Sequence, residues 1–467
     1  MSVLVLHHRG SLAGAPYDRW LDDYDGDVLL LASEQHLRLV GEELPAGSHG
    51  YRYLEAVPGY ETGGAVEERA LELARLHGLR HVVACQERDL ERAAQLREIL
   101  GLPGQTLDSV LPFRDKVLMK DAARAAGIPV APYRAVECAV DLLAFADEHG
   151  FPLVLKPLDS AGSVDVRFLQ SAGDLDAFLD GGFAPYGPHQ PNLLVEAYVP
   201  GPMCHVDGLV VDGRVVFSWP SQYQFALADF RDDRGGRHDL TLDPDDPLTS
   251  RLLDLTDRTL DALPSPRHFA FHAEIFHTPD DRLVLCEIAC RTGGAQNREV
   301  SRTLFGLDPT ECWIRAQLGL PLPVEPGRGR LEPMSMAGQL SLGKRAGTVM
   351  AVPGPPPFPW VRTARVFVRP GEAMAEPRYS SDLMASFVVA GPDQRTCRER
   401  LERLEAWFLD GLVVGETTPA AAGDPPPRRP LPPPSPHPLS PQPGSEHDDP
   451  QPAVADGLPP RDRLVGR

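Results

Sequence analysis

The stretch from His272 to Gly294, HAEIFHTPDDRLVLCEIACRTGG, constrains this chain most, because two apolar runs are set there on either side of a turn. Phe269 to Phe276 and Leu283 to Ala289 are rich in strand formers, and Thr278-Pro279-Asp280-Asp281 has the residue types that reverse a backbone. The pattern predicts a β-hairpin. A turn centred on Asp280 and Asp281 sets Glu274 directly opposite Glu287, with His272 opposite Ala289. Opposed like charges destabilise a sheet pair, so this arrangement asks for a cation. Carboxylates combined with phosphate oxygens are the ligands that magnesium takes. In this register Val284, Cys286, Ile288 and Cys290 turn to a core, while Glu287, Ala289 and Arg291 share the opposite face. A three-residue loop would instead pair Glu274 with Cys286 and turn Glu287 away, and two solvated glutamates are the plain alternative.

At 467 residues the chain exceeds what one core can serve, so several domains are expected. Its net charge of -20 disfavours nucleic acid and anionic membranes as partners, since both need a basic surface. No window approaches a membrane span, and the apolar run Val3 to Leu6 is too short for a signal segment, so a cytoplasmic protein is expected. The seven cysteines form no Cys-x-x-Cys pair, which argues for buried thiols over a disulfide framework or a structural zinc site. Of the 46 basic residues only Lys116, Lys120, Lys156 and Lys344 are lysines. Where an arginine-rich chain still uses lysine, a compact ammonium on a flexible stem is needed and a planar fork does not serve, unless the clustering is chance.

Along the chain, Val3 to Leu6, Val28 to Ala32 and His81 to Cys85 read as buried strands between helices at Val66 to His77 and Glu87 to Leu100, a parallel α/β pattern. His7-His8-Arg9-Gly10 follows the first strand, at the end where such sheets bind ligands, although an ordinary loop is the favoured reading. From Asp115 a helix carries Lys116 and Lys120 one turn apart and stops at Gly127. A strand at Val130 to Tyr133 and a helix from Val140 to His149 follow. The strand Phe151 to Lys156 then runs into Asp159-Ser160-Ala161-Gly162-Ser163, whose small residues let backbone N–H groups approach an anion or simply make a turn.

Leu193 to Tyr198 is another strand, and His205 to Val211 with Arg214 to Trp219 makes a hairpin around Asp212-Gly213. Arg231 to Asp246 is charged and reads as a mobile surface loop, followed by an amphipathic helix from Thr249 to Leu263. Helices from Arg298 to Leu304 and Pro309 to Leu318 come after the opening hairpin. A smaller α+β unit has strands near Met336 to Leu342, Val361 to Val368 and Ala385 to Ala390, and a helix from Gln394 to Leu409. The last 52 residues hold 16 of the 49 prolines and are expected to be disordered.

In order, these pieces are a helix with Asp-Lys, a strand with lysine, a small-residue loop, a strand with glutamate, and a hairpin with two glutamates and an arginine. Over residues 110 to 320 this resembles the ATP-grasp superfamily, in particular its carboxylate-amine ligases. The resemblance implies an α/β N-terminal (pre-ATP-grasp) domain over 1–105 and a lid subdomain over 106–190. A large subdomain with the metal site over 191–325, a C-terminal α+β unit over 326–415 and the disordered tail over 416–467 complete the chain. Lys116 and Lys156 resemble the two ATP-phosphate lysines, and Ser160, Gly162 and Ser163 the flexible lid over the phosphates. Glu196 and the backbone of Val199 resemble the adenine-binding hinge. Glu274 and Glu287 resemble the magnesium ligands, with manganese as an alternative ion, and Arg291 the cation that faces the transferred phosphate and the carboxylate substrate. The implied activity joins a small carboxylate to an amine through an acyl phosphate, and a homodimer is common in such relatives.

Two positions depart from the family pattern. Its asparagine two residues after the second metal glutamate is Ala289 here, and the acidic residue that usually holds the ribose is Met203. His272, opposite Ala289, could replace the missing ligand directly or through water, or be a strand histidine bonded to a neighbour. The alternatives to a ligase are an ATP-binding module that has lost catalysis, and carboxylase or carbamoyl phosphate chemistry of the same superfamily.

Overall fold

The computed structural model describes residues 2–45, 50–160, 162, 164–183, 192–225, 235–324, 329–377 and 382–415. The proline-rich tail, Ser163 and part of the expected 231–246 loop lie outside the described residues. Three sheets position the site. The N-terminal sheet has four parallel strands in the order Tyr53–Val57, Asp27–Ser33, Ser2–His7, Leu79–Ala84. Its middle strand is buried on both faces, with Val3 and Val5 in one core and Leu4 and Leu6 in another. A near-continuous apolar run is what a doubly covered parallel strand requires. The edge strand Tyr53–Val57 is only half buried and has no such run, which is why its residues carried no strand signal.

The second sheet, also four-stranded, is antiparallel in the order Tyr133–Val136, Leu193–Ala197, Leu153–Pro157, Arg167–Leu169. Its first strand begins at Tyr133, not at Val130; Pro132 has no N–H to offer a ladder, and Val130 makes an isolated bridge to Leu285 instead.

The largest sheet has eight antiparallel strands. They run in the order Leu283–Ala289, Phe269–His277, Met203–Val211, Arg214–Tyr223, Gly236–Thr241, Met336–Gly343, Leu383–Gly391, Val361–Val366. One expectation is corrected here. Residues 236–241 form an interior strand with Arg237 and Asp239 buried, not a surface loop. Charge misled because these groups are engaged across the sheet, as in the bond between Asp239 and His205. Of the strands in the expected C-terminal α+β unit, Met336–Gly343, Val361–Val366 and Leu383–Gly391 extend this same sheet, through the pairing of Leu240 with Gly338, while Gly347–Ala351, Ala373–Met374 and Val413–Gly415 pair in a three-stranded sheet of their own. Among the described residues no helix is long and apolar enough to cross a membrane.

Candidate active site

The hairpin forms as expected, by a route that combines both registers. His277 pairs with Leu283 across the turn, in the register that would have set Glu274 against Cys286. A one-residue bulge at Cys286 then shifts the ladder, and Glu274 pairs with Glu287 and His272 with Ala289. The row continues across the sheet through His205 and Ser221, so the two glutamates share a face with those side chains.

Lys116 is the first residue of the helix Lys116–Ala125, whose N-cap Asp115 accepts from Val117 N at 2.8 Å and Leu118 N at 3.1 Å. The cap fixes where the lysine leaves the helix. Its Nζ lies 2.7 Å from the Ser160 carbonyl oxygen and 3.3 Å from Glu287 Oε2. The lysine thus ties the expected lid loop to the hairpin. Gly162 in that loop has a φ of 70°, a conformation that favours glycine.

Lys156 and Glu196 come from neighbouring strands of the second sheet. Glu196 pairs with Val154, two residues before Lys156, so both side chains leave the same face. Lys156 Nζ lies 2.5 Å from Glu196 Oε1, and Lys120 Nζ lies 3.1 Å from Glu196 Oε2. Lys120 also donates to the Cys286 carbonyl at 2.9 Å, on the bulge of the hairpin. The two lysines therefore bracket one buried carboxylate. Burial alone would raise the Glu196 pKa, but Lys120 and Lys156 outweigh it and hold the carboxyl below its ordinary range. Val199 is half-buried just beyond this strand, in the connection to Met203.

Glu287 is likewise desolvated, yet Lys116, Lys156 and Arg291 pull its pKa down to about 2. Arg291 donates from Nε to Glu87, and Glu87 also takes Arg114. Arg114 reaches the Asp159 carbonyl at 3.1 Å, so the loop before Asp89, the segment after Pro157 and the hairpin exit meet at these three side chains. Glu87 was expected inside a helix; that helix begins at Asp89, which leaves Glu87 in the preceding loop and free to turn to Arg291. The pairing of Glu87 with Arg291 had no sequence signal, whereas Lys120 had one in the rarity of lysine. His272 is bonded through Nδ1 to Asp207 Oδ1 at 3.0 Å, with Nε2 3.5 Å from Glu274 Oε1. Lys344 pairs with Asp382 at 3.2 Å, away from these groups.

The donor set fits a hard divalent cation. Two directly paired carboxylates, one held ionised far below neutral pH, offer the oxygen ligands that magnesium uses, and lysines and an arginine stand ready for phosphate.

No family model matches the chain. It is 25% identical over 289 residues to the L-arginine-specific L-amino acid ligase of Bacillus subtilis, a match covering 60% of this chain and 66% of that protein. The chain thus spans just under two thirds of that curated relative. The L-amino acid ligase of Bacillus licheniformis superposes with a TM-score of 0.69 at 16% identity, over 89% of this chain and 98% of that one. The biotin carboxylase domain of the Hydrogenobacter thermophilus 2-oxoglutarate carboxylase, solved with MgADP, gives 0.65 at 16% identity over 88% and 90%. This chain has the ATP-grasp fold of these solved structures, and the curated relatives that it is similar to include amino acid ligases and D-alanine–D-alanine ligases.

Proposed function

We propose that the chain is an ATP-dependent ligase that joins a carboxylate to an amine through an acyl phosphate and releases ADP and phosphate. The observation that carries this reading is the convergence of Lys116, Arg291 and the Glu274–Glu287 pair on one face, with Lys156 and Glu196 beside them. Glu274 and Glu287 would hold Mg2+, or Mn2+ in its place, which would supply positive charge to offset that of the phosphates. Phosphoryl transfer asks the protein mainly to position and to neutralise. Lys116 and Lys156 would supply ammonium charge for the nucleotide phosphates, and Glu196 with the backbone of Val199 would hold the adenine. Ser160, Gly162 and Ser163 belong to the lid. Arg291, fixed through its Nε by Glu87, stabilises the oxygens of the acyl phosphate and of the tetrahedral intermediate formed when the amine attacks.

An amino acid as one substrate is supported by the similarity to the two L-amino acid ligases. Its pocket would be set by Ser221 to Gln224, by the 236–241 strand and by the face beside Arg291; Ser221 pairs with both His205 and Thr241 on that sheet. With Mg-ATP and a panel of amino acid pairs, ADP and phosphate are expected only when both substrates are present. Release of AMP and pyrophosphate would overturn the mechanism, and nucleotide binding without turnover on any pair would favour a module that has lost catalysis.

A further inference from the structure

A second constellation stands on the central sheet, beside the paired glutamates and made of different donors. His205, Asp207 and His272 each present one ligating atom, and these atoms lie within 4.8 Å of one another. They come together because Asp207 pairs with His272 across neighbouring strands and His205 lies two residues before Asp207 on the same face. Asp207 is held between the two imidazoles, with Oδ2 2.6 Å from His205 Nδ1 and Oδ1 3.0 Å from His272 Nδ1.

The far ring nitrogens are occupied too. His205 Nε2 lies 2.9 Å from Asp239 Oδ2, and His272 Nε2 lies 3.5 Å from Glu274 Oε1. Each imidazole therefore turns one nitrogen to a common centre and the other to a carboxylate, the arrangement in which outer carboxylates orient histidine ligands and raise their basicity. Asp239 is 4% exposed, and its Oδ1 has no hydrogen-bond partner. A buried carboxylate oxygen without a donor is costly, and a cation nearby offsets that cost.

The space around the cluster favours an ion over an organic ligand. Gly293 N approaches Asp207 Oδ1 at 3.2 Å, and Asn297 Nδ2 approaches Oδ2 at 3.2 Å. A Cβ on Gly293 would lie 2.2 Å from Asn297 Nδ2 and 2.8 Å from His272 Nδ1, so the loop closes over the cluster with no room for a side chain. The donor set also selects the ion. Two imidazoles and one carboxylate suit borderline transition ions, whereas the all-oxygen Glu274–Glu287 pair suits magnesium.

We propose that His205, Asp207 and His272 form a separate metal site that takes a borderline divalent transition ion such as Zn2+, with Asp239 and Glu274 orienting the two histidines. The ion would tie strand Met203–Val211 to strand Phe269–His277 beside the glutamates, and Asn297, which donates from Nδ2 to Asp207 Oδ2, would help to hold that carboxylate in place. This assignment is independent of the ligase reading.

The test uses the full chain stripped with a chelator, kept in excess Mg2+ to fill the oxygen site, and titrated with Co2+ as a spectroscopic stand-in for zinc. One Co2+ per chain is expected, with the visible d–d bands of a low-coordinate nitrogen and oxygen site that Zn2+ displaces. His205→Gln should abolish the bands. Asp239→Asn, which removes no ligand, should weaken binding by about 10–100-fold, and it carries the test if His205→Gln does not fold. Glu287→Gln should leave Co2+ binding unchanged. Absence of stoichiometric binding, bands that persist in a folded His205→Gln, an unchanged Co2+ affinity in Asp239→Asn, or bands lost in Glu287→Gln would each overturn the proposal.

Discussion

Glu87 and Arg291 are 204 residues apart and form an ion pair that joins the loop before the helix Asp89–Leu100 to the exit of the glutamate hairpin. Glu87 also holds Arg114, which bonds the Asp159 carbonyl just after strand Leu153–Pro157. One carboxylate thus sets the position of two guanidinium groups at the candidate site. Glu87→Ala leaves both without their partner. The pair keeps some contact with water, with side-chain exposures of 17% and 19%, so the expected loss of stability is about 2 kcal/mol, below that of a fully buried pair. Denaturant unfolding measures it. Turnover should fall while Mg-ADP affinity, measured by calorimetry, stays within about twofold; an unchanged turnover would remove Glu87 as the group that positions Arg291.

Arg291 itself is expected to act on the reacting oxygens and not on nucleotide binding. Arg291→Met should lower kcat by about 10²–10³-fold, the usual effect of removing one donor to a developing oxyanion. A change confined to KM would contradict this role.

The lysine bracket predicts a nucleotide effect of the opposite kind. Lys156→Met removes an ammonium 2.5 Å from Glu196 and should weaken ATP binding by about 10–100-fold, as expected for loss of a hydrogen bond to a charged group. Direct binding of a fluorescent ATP analogue tests it. Retention of full affinity would show that the lysine only balances Glu196.

The acid carboxyls predict a pH dependence. Glu196 and Glu287 have folded-state pKa values below the ordinary 4.5, so the folded chain binds fewer protons than the unfolded chain as pH falls. Their stabilisation is complete above pH 4.5 and is lost as pH drops towards the Glu287 value of about 2. Glu196→Gln should cost about 3–5 kcal/mol at pH 7, because it leaves Lys120 and Lys156 buried without a counter-charge. The gap between variant and parent should narrow on acidification, and equal gaps at pH 7 and pH 3 would remove Glu196 from the acid transition.

Gly293 predicts a steric effect. A Cβ there would fall 2.5 Å from Asp207 Oδ1, so Gly293→Ala should lower stability by about 1–3 kcal/mol and disturb Arg291, two residues earlier. Thermal unfolding together with turnover tests this, and a variant equal to the parent in both would mean that the loop closes less tightly over Asp207.

Much of the site could be read along the chain because its parts are local. The Asp115 cap with Lys116, the lysine at the end of Leu153–Pro157 and the two glutamates of the hairpin each sit in a short stretch whose periodicity fixes their face. Even the hairpin register was only half legible: the turn alone favours Glu274 against Cys286, and the bulge that restores Glu274 to Glu287 has no mark in the residues around it. The strand Gly236–Thr241 was hidden for a related reason, since charged side chains become interior only when partners such as His205 and Glu405 arrive from distant segments.

What the amino-acid sequence determined by itself was therefore the set of elements and the chemistry each one carries, because propensity, capping and side-chain alternation act over a few residues. What only the tertiary structure decided was which charges meet. The pairings of Glu87 with Arg291, of Glu196 with Lys120 and of Asp207 with His272 join residues far apart in the chain. Such contacts depend on how whole sheets and helices pack, and no local pattern encodes the distance between two packed surfaces.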